Sequence, residues 1–242
     1  MSEKDWIKWD RYPSLWCGGC GIGIMAKYIA KAFEELGYSK DEVVVVSGIG
    51  CTGRIAGYLN VDSVHGLHGR AVPLAEGIKE GNKKLKVVVI SGDGDLLGIG
   101  GNHLLHTARR NVDITVICYN NEIYGMTGGQ MAPTTRLESF TVTSPFGCEY
   151  NPINAHKLIS SNRNYFYARS SVWHVDHMKN VVKEALSHDG FSFVEVIAYC
   201  ITNNGLRTGF KDAYEMITTI KKMYKPSEEV KEETDLGVDK SD

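Results

Sequence analysis

The sequence contains no apolar run that approaches the roughly 18 consecutive residues of a membrane-spanning helix. Residues 1–10 also lack the apolar run and the flanks of a signal peptide, which makes the cytoplasm the expected location. Neither sign of charge is in excess, because 27 Lys and Arg residues stand against 29 Asp and Glu residues. There is therefore no electrostatic reason to expect a nucleic acid or a membrane surface as a partner.

The sequence also lacks internal repeats and a clear second domain within its 242 residues. Its composition, 43% hydrophobic and 23% charged, argues against long disorder, collagen-like repeats and coiled coil. We expect one domain over residues 1–224. From Lys225 the chain is acidic and poor in aromatic residues, which predicts a flexible acidic tail over residues 225–242.

Four short apolar runs are each followed by glycine or polar residues, namely residues 43–46, 86–90, 113–119 and 191–197. Continuous rather than alternating apolar runs are typical of strands that are buried on both faces of a parallel sheet. Apolar residues at three- and four-residue intervals predict helices over residues 22–36, 71–81, 100–110 and 174–188. The alternation predicts an α/β fold, an open and mostly parallel sheet with helices on both faces. In such folds ligands bind beyond the carboxyl ends of the strands.

Two segments lie outside this pattern. Residues 1–16 are rich in tryptophan and are expected to form a lead-in arm that packs on another chain, with Trp6 and Trp9 as candidate contacts. Residues 125–172 are predicted to be mostly loop, because prolines and runs of Thr and Ser interrupt them. Long loops in compact domains are usually functional.

Gly92-Asp93-Gly94 follows a predicted strand, where a phosphate-binding loop is expected. The next glycine is Gly98, so the spacing departs from the dinucleotide-binding pattern G-x-G-x-x-G. A carboxylate at position 93 would repel a diphosphate unless a divalent cation lay between the two. Mg²⁺ is commonly bound by one or two carboxylates together with phosphate oxygens and water. Asp93 is therefore a candidate Mg²⁺ ligand.

A second ligand is expected at the end of the neighbouring strand. Asn121 stands 28 positions after Asp93, beyond one helix and one strand. Both strand ends of a βαβ unit lie at the same edge of the sheet, so Asp93, Asn121 and the carbonyl of Ile123 could share one ion. The alternative is that Asp93 is a turn or cap residue and that Asn120-Asn121 is an ordinary turn.

Three motifs carry a resemblance to a known family. They are Gly92-Asp-Gly-Asp-Leu-Leu-Gly-Ile-Gly-Gly-Asn102-His103, Asn120-Asn121-Glu-Ile-Tyr-Gly-Met-Thr-Gly-Gly-Gln130 and, upstream, His68-Gly-Arg-Ala-Val-Pro73. A GDG after a strand, followed about 30 residues later by NN, resembles the thiamine diphosphate motif. Together the motifs resemble the β subunit of 2-oxoacid:ferredoxin oxidoreductases, in particular the 2-oxoglutarate branch. The match covers about Trp16 to Gly209, most of the chain.

The resemblance implies thiamine diphosphate and Mg²⁺ as cofactors. It assigns the Mg²⁺ ion to the side chains of Asp93 and Asn121 and to the Ile123 carbonyl. The residues that it places around thiamine diphosphate are Gly92, Gly94 and His68, of which His68 is also a candidate catalytic residue. A purely structural role for His68 is the alternative.

The six cysteines, without an export signal, are expected to be thiols or metal ligands rather than disulfides. Cys17 and Cys20 form a CxxC, while Cys51 and Cys200 follow predicted strands. Four thiolates at one sheet edge could hold zinc or a [4Fe-4S] cluster. Their wide spread along the chain modestly favours the cluster, because structural zinc sites usually fold a small module around the ion.

The resemblance implies the cluster, since the family's β subunit has a similar cysteine pattern. Cys118, inside an apolar strand, is predicted to be a core residue, and Cys148 has no assigned task.

For function, the resemblance implies oxidative decarboxylation of 2-oxoglutarate to succinyl-CoA and CO₂, with one-electron transfer through the cluster to ferredoxin. The implied partners are an α-type subunit, optional small γ and δ subunits, ferredoxin, the 2-oxoacid and coenzyme A. In the family the acid that engages the pyrimidine of the cofactor resides on the α subunit. We therefore expect this chain to be half of an active site and inactive alone.

Three alternatives stay open. One is the same chemistry on pyruvate or a branched-chain 2-oxoacid, the second is a non-catalytic electron-transfer subunit with a cluster, and the third is a zinc-stabilised nucleotide-binding protein. Arg54, three residues beyond Cys51, favours the dicarboxylic substrate, because a guanidinium can hold a carboxylate through two parallel hydrogen bonds. The alternative for Arg54 is an ion pair with a partner subunit or a nearby acid.

Overall fold

The structure, a computed structural model, describes residues 3–205 and 207–241. Its helices are α1 (Ile22–Glu35), α2 (Ala71–Gly81), α3 (Gly101–Arg109), α4 (Ala155–Ser160), α5 (Val175–Ser187) and α6 (Ala213–Met223). Its strands are β1 (Val43–Ser47), β2 (Asp62–His65), β3 (Lys86–Gly92), β4 (Thr115–Asn120), β5 (Ile123–Tyr124), β6 (Gln130–Met131), β7 (Phe166–Ser171), β8 (Ser192–Ile197), β9 (Lys225–Pro226) and β10 (Asp235–Lys240). In the described ranges no helix has both the length and the apolar character that crossing a bilayer requires.

Eight strands form one sheet in the order β2-β1-β3-β4-β8-β7-β10-β9. All pairs from β2 to β7 are parallel, whereas β10 runs antiparallel to β7. Strands β5 and β6 form a separate short hairpin after β4. The predicted open and mostly parallel sheet is confirmed.

Continuous apolar strands are explained by burial on both faces of the sheet. In β1, Val43 and Val45 pack in one core layer together with residues of α1 and α5. Val44 and Val46 point to the opposite layer, which contains residues of α2 and α3. Because successive side chains of a strand alternate between faces, two covering layers of helices require an apolar residue at every position.

The four predicted strands and four predicted helices all form, with boundaries within two residues of those expected. Strand β7 is different, because it lies inside the segment that was predicted to be mostly loop. Its sequence contains Arg169, and a charged residue argues against a buried strand, although all six residues of β7 are buried. The Nε atom of Arg169 donates a hydrogen bond of 2.8 Å to Glu195 on β8, so the buried charge is compensated from the neighbouring strand.

The expected flexible tail is wrong for part of residues 225–242, because the chain returns to the sheet as β9 and β10. Leu236 of β10 is fully buried and Val238 packs against the core. These apolar residues alternate with Gly237 and Asp239, which is the pattern of a strand with one buried face. The acidic composition of the whole segment hid this short alternation.

The lead-in arm packs on its own chain. Trp6 is fully buried, with its ring centroid 5.3 Å from that of Phe33 on α1. The expectation that Trp6 contacts a partner is therefore wrong, because a large aromatic side chain gains more from the adjacent core. Trp9 remains 55% exposed.

Candidate cofactor site

Strands β1, β3, β4 and β8 are neighbours in the sheet, and their carboxyl ends share one edge. The segments that follow them carry Cys51, Asp93, Asn121 and Cys200. Two adjacent cavities open at this edge. We call the one lined by Asp93 the Asp93 pocket, and the one lined by Cys17, Cys20, Cys51 and Cys200 the thiol cavity.

The Asp93 pocket has a volume of about 120 Å³. Its walls contain all the residues predicted to surround the cofactor and its metal, which are His68, Gly92, Asp93, Gly94, Asn121 and Ile123. The fold thus brings together side chains that are far apart in sequence, because the ends of successive parallel strands meet at one edge.

Three oxygen atoms converge in this pocket. The side-chain oxygen of Asn121 faces Asp93 Oδ1 at 3.2 Å and the Ile123 carbonyl oxygen at 2.8 Å. Oxygens at right angles around a Mg²⁺ ion stand roughly 2.8 to 3.0 Å apart, because each lies roughly 2.0 to 2.1 Å from the metal. Turning the Asn121 amide over would instead place its nitrogen there, as a donor to both oxygens. With the oxygen inward, the three oxygens have a spacing that fits a divalent cation, whereas the turned amide would satisfy the same contacts by hydrogen bonds.

The burial of Asp93 also favours a cation beside its carboxylate. Burial raises the pKa of this carboxyl to about 7, although a hydrogen bond donated by the Thr134 hydroxyl to Oδ2 lowers it. Its side chain does not cap the π-helical turn Gly94–Ile99 that follows. A buried acid without a cationic partner is costly when ionised, and a bound cation would remove that cost.

Asn120 and Asn121 have different roles, one in the turn and the other in the pocket. Asn120 is a turn residue, because its side-chain oxygen accepts a hydrogen bond of 3.2 Å from the Glu122 amide. Its nitrogen donates to Glu195 at 2.8 Å, which fixes the turn to β8. Asn121 alone faces the pocket.

His68 lines the pocket and places its Nδ1 atom 2.5 Å from Asp95 Oδ1. Its role as a catalytic residue stays a prediction. The ring of Tyr124 lies edge-on to that of His68, with centroids 6.2 Å apart, and its hydroxyl donates to the Gly94 carbonyl at 2.9 Å.

Sequence reasoning did not single out Asp95, Tyr124 or Thr134. The only signals were the second acid of Gly-Asp-Gly-Asp and the position of Tyr124 inside the motif Asn120 to Gln130, whereas the contact of Thr134 with Asp93 depends on the folded chain.

The thiol cavity has a volume of about 180 Å³ and is otherwise lined mainly by apolar and aromatic side chains. Gly19, with φ of +88°, allows the tight turn that presents Cys17 and Cys20. In the described ranges no three or more His, Cys, Asp or Glu side chains are gathered closely enough to hold a single metal ion. The four thiols therefore line a cavity and do not converge on the position of a single metal ion.

Neighbouring side chains fix the backbone of this cavity. The Trp16 indole donates a hydrogen bond of 2.9 Å to the Cys51 carbonyl, and the Tyr119 hydroxyl donates to the Cys20 carbonyl. Burial raises the pKa of Cys20 to about 11, and the nearby thiols of Cys17, Cys51 and Cys200 add to this shift. Burial and the other thiols also raise the pKa of Cys51.

The Asp93 pocket and the thiol cavity share Cys51, Asn121 and Met126 as wall residues. Arg54 is exposed and lines the thiol cavity, and it is not among the residues that line the Asp93 pocket. Its predicted contact with substrate therefore depends on a substrate that reaches past the shared wall.

The two other cysteines lie away from this cavity. Cys118 is fully buried in the core, as expected, and burial raises its pKa well above the usual value. Cys148 is buried beside Met131, with 3.3 Å between the two sulfur atoms.

Comparisons with known proteins agree with this geometry. Residues 48–196 match the family described as thiamine pyrophosphate enzyme, C-terminal TPP binding domain; thiamine pyrophosphate is thiamine diphosphate. The chain is 44% identical over 216 residues to the 2-oxoglutarate synthase subunit KorB of Methanothermobacter thermautotrophicus, covering 89% of this chain and 76% of the relative. It is 39% identical over 242 residues to the KorB subunit of Archaeoglobus fulgidus, covering 98% and 88%.

A solved structure is also similar. It is the 2-oxoglutarate:ferredoxin oxidoreductase from Magnetococcus marinus with 2-oxoglutarate, coenzyme A and succinyl-CoA bound. The match has a TM-score of 0.87 at 29% identity, and it covers 98% of this chain and 84% of the other. The thiamine pyrophosphate-binding fold and these relatives show that the chain belongs to the β subunits of the 2-oxoacid:ferredoxin oxidoreductase family, which are parts of oxidoreductase complexes.

Proposed function

We propose that this chain and an α-type partner oxidise 2-oxoglutarate and coenzyme A to succinyl-CoA and CO₂ and pass electrons singly to ferredoxin. The observation that carries the proposal is the shared wall between an oxygen-lined pocket and a thiol-lined cavity. Decarboxylation and one-electron transfer need two different cofactors close together. This edge of the sheet offers a place for each.

In the Asp93 pocket, the side chains of Asp93 and Asn121 and the Ile123 carbonyl would hold Mg²⁺. Their oxygen spacing supports this ion, and Thr134 holds the carboxylate of Asp93 in place. Gly92 and Gly94 lie in the pocket wall beside these ligands. When bound, thiamine diphosphate supplies the electron sink for decarboxylation of a 2-oxoacid.

In the thiol cavity, the thiolates of Cys17, Cys20, Cys51 and Cys200 would hold a [4Fe-4S] cluster. When bound, such a cluster accepts and releases single electrons. The shape of the cavity supports this choice over zinc, because four thiolates on one zinc ion would lie at about 2.3 Å from a common point. Thiols with raised pKa values become ligands only when a metal supplies positive charge.

A partner subunit is needed to complete the pocket. Within the described ranges, the carboxylates that line it are those of Asp93 and Asp95, and both are buried and hydrogen-bonded. We expect the acid that engages the pyrimidine to come from an α-type subunit, and the naming of several relatives as β subunits supports the existence of such a partner. Leu67, next to His68, is 76% exposed and offers an apolar contact for that partner. Optional γ and δ subunits and a cytoplasmic location stay predictions.

The substrate follows from two lines of support. Relatives at 39% to 44% identity are named 2-oxoglutarate synthase subunits. Arg54, which lines the adjacent thiol cavity, offers a guanidinium for the distal carboxylate. Pyruvate and branched-chain acids lack that second carboxylate, so they are the comparison substrates.

The test is anaerobic purification of the chain with its α-type partner, followed by assays of iron, sulfide, zinc, magnesium and thiamine. We expect a brown complex with about four irons per chain, bound thiamine diphosphate and coenzyme A-dependent reduction of ferredoxin by 2-oxoglutarate. The chain purified alone should be inactive. A cluster without thiamine would identify an electron-transfer subunit instead, and one zinc per chain without iron would overturn the cluster.

A further inference from the structure

The carboxylate of Asp95 joins three segments at the edge of the Asp93 pocket. It is 2% exposed, yet Oδ1 accepts hydrogen bonds from the Ile49 amide at 3.2 Å, the Gly69 amide at 2.8 Å and His68 Nδ1 at 2.5 Å. Oδ2 accepts a hydrogen bond of 2.9 Å from the Ser91 hydroxyl. All four of these groups can donate, so neither oxygen of the buried carboxylate is left without a hydrogen-bond partner.

We propose that Asp95 is a positioning residue that fixes the tautomer and the ring orientation of His68. Oδ1 already accepts hydrogen bonds from the backbone amides of Ile49 and Gly69, which can only donate, so it acts as an acceptor and the proton in its contact with His68 belongs to Nδ1. The Nε2 atom is then the ring nitrogen that remains available to the pocket. This inference rests on the proposed function, because it gives His68 a task beside the cofactor.

The surrounding backbone is shaped to admit Asp95. A Cβ atom on Gly48 would collide with the Asp95 carboxylate and lie 2.7 Å from Ser91 Oγ. Only glycine therefore leaves room for the carboxylate at that position. Gly69, whose amide binds Asp95, has a φ of +70° and lets the chain turn directly after His68. The loop after β1 and the loop that carries His68 thus meet at one carboxylate.

The ring of His68 needs such an anchor. Its side chain is 35% exposed, and its other ring contact is the edge-on approach of Tyr124. A half-exposed ring on a loop would otherwise sample several rotamers and both neutral tautomers. An imidazole held by a carboxylate on one nitrogen presents the other nitrogen in one direction, as in sites where a carboxylate orients a functional histidine.

The alternative is that Asp95 only holds the loops together. Asp95→Asn separates the two roles, because the amide oxygen can still accept from Ile49 and Gly69 while the amide nitrogen donates to Ser91. At His68 the variant replaces a carboxylate oxygen by an amide oxygen, which is a weaker acceptor for the Nδ1 proton. Ser91→Ala is the matched control, since it removes a hydrogen bond from the other carboxylate oxygen and leaves the His68 contact in place.

The first test is ¹⁵N spectroscopy of histidine-labelled full-length chain at about pH 8, where an unperturbed imidazole is neutral. The signals of His68 are identified by their loss in His68→Gln. We expect a protonated Nδ1 in the parent and in Ser91→Ala, and a shift towards the Nε2-protonated tautomer in Asp95→Asn. Unchanged ring signals in Asp95→Asn, or an equal shift in Ser91→Ala, would overturn the proposal.

The second test is a double-mutant cycle on kcat/KM in the assembled complex. Asp95→Asn should lower kcat/KM about tenfold, as expected when a charged hydrogen bond becomes a neutral one, and should have no further effect in a His68→Gln background. Equal losses in both backgrounds would show that Asp95 does not act through His68. If the parent complex lacks 2-oxoacid activity, the proposed function fails, while the spectroscopic result still decides the positioning role.

Discussion

The Asp93 pocket and the thiol cavity share three wall residues but offer opposite kinds of ligand. The pocket presents carboxylate, amide and carbonyl oxygens, which suit a hard cation such as Mg²⁺. The cavity presents sulfur atoms among apolar side chains, which suits iron and other softer metals. The loops at this sheet edge thus place oxygen donors in the Asp93 pocket and sulfur donors in the thiol cavity, which suit different kinds of metal.

The two regions also differ in what holds the ligands before any metal arrives. In the pocket, the Asp93 carboxylate accepts a hydrogen bond directly from Thr134. In the cavity, Trp16 and Tyr119 bind the backbone carbonyls of the cysteines, and burial keeps the Cys20 thiol protonated by raising its pKa to about 11. The carboxylate of the pocket is therefore held in place by a side chain, whereas the thiols would become charged only if a metal bound and displaced their protons.

The largest effect should come from removing the carboxylate of the pocket. Asp93→Ala deletes the one charged ligand of the proposed Mg²⁺ site, so we expect the complex to lose thiamine diphosphate during purification. Iron and sulfide should stay at the parent level, because the cavity keeps all four thiols. Thiamine assay and iron assay on the same sample measure both. Parent-like retention of thiamine would place the cofactor elsewhere.

The reciprocal change is Cys200→Ser. A serine hydroxyl is a poor substitute for a thiolate on iron, so we expect loss or strong weakening of the cluster absorption and of activity. Thiamine retention should survive, because the oxygens of the pocket remain. Cys148→Ser is the control, since Cys148 is a cysteine of the same chain that lies outside the cavity. An unchanged cluster in Cys200→Ser would remove Cys200 from the ligand set.

The proximity of Asp93 and Asn121 in the pocket could be predicted from sequence because it follows from topology. Two consecutive parallel strands end at the same edge, so residues just after β3 and β4 must be neighbours. This argument needs only the strand pattern and the spacing between Asp93 and Asn121. The same reasoning applies to Cys51 and Cys200, which follow β1 and β8, whereas Cys17 and Cys20 precede α1 and were grouped with them through their CxxC spacing and the family resemblance.

Other features could not be predicted because they depend on contacts between distant residues. Asp95 and Thr134 act through hydrogen bonds to partners 27 and 41 positions away. Strand β7 contains Arg169, whose burial is tolerated only because Glu195 lies beside it on β8. A charged residue in a sequence usually indicates an exposed position. The opposite charge that allows such a residue to be buried can be seen only in the folded structure.

The third prediction concerns the boundary between the two cavities. If Arg54 binds the distal carboxylate of the substrate, Arg54→Met should lower kcat/KM for 2-oxoglutarate by roughly ten- to a hundredfold and that for pyruvate much less. If Arg54 instead stabilises the cysteine thiolates by its charge, kcat/KM should fall equally for both acids and the cluster absorption should weaken. Rates on both acids, with iron content as the control, distinguish these outcomes.

The smallest effect should come from Thr134, which touches the pocket only through Asp93. Its hydroxyl donates to Oδ2 of the carboxylate, while Oδ1 faces Asn121. Thr134→Val keeps the shape of the side chain but removes the hydrogen-bond donor. The Asp93 carboxylate is then less firmly oriented, and its pKa should rise because the lost hydrogen bond lowers it.

Losses of this kind of supporting contact typically weaken metal binding about tenfold or somewhat more. We therefore expect about a tenfold weaker affinity for Mg²⁺ and thiamine diphosphate together, measured by titration of the cofactor-depleted complex. Thr127→Val is the control, because Thr127 lines the same pocket but donates to Gln130 at 2.6 Å rather than to Asp93. Equal weakening in both variants would show that the polarity of the pocket, and not the orientation of Asp93, governs cofactor affinity.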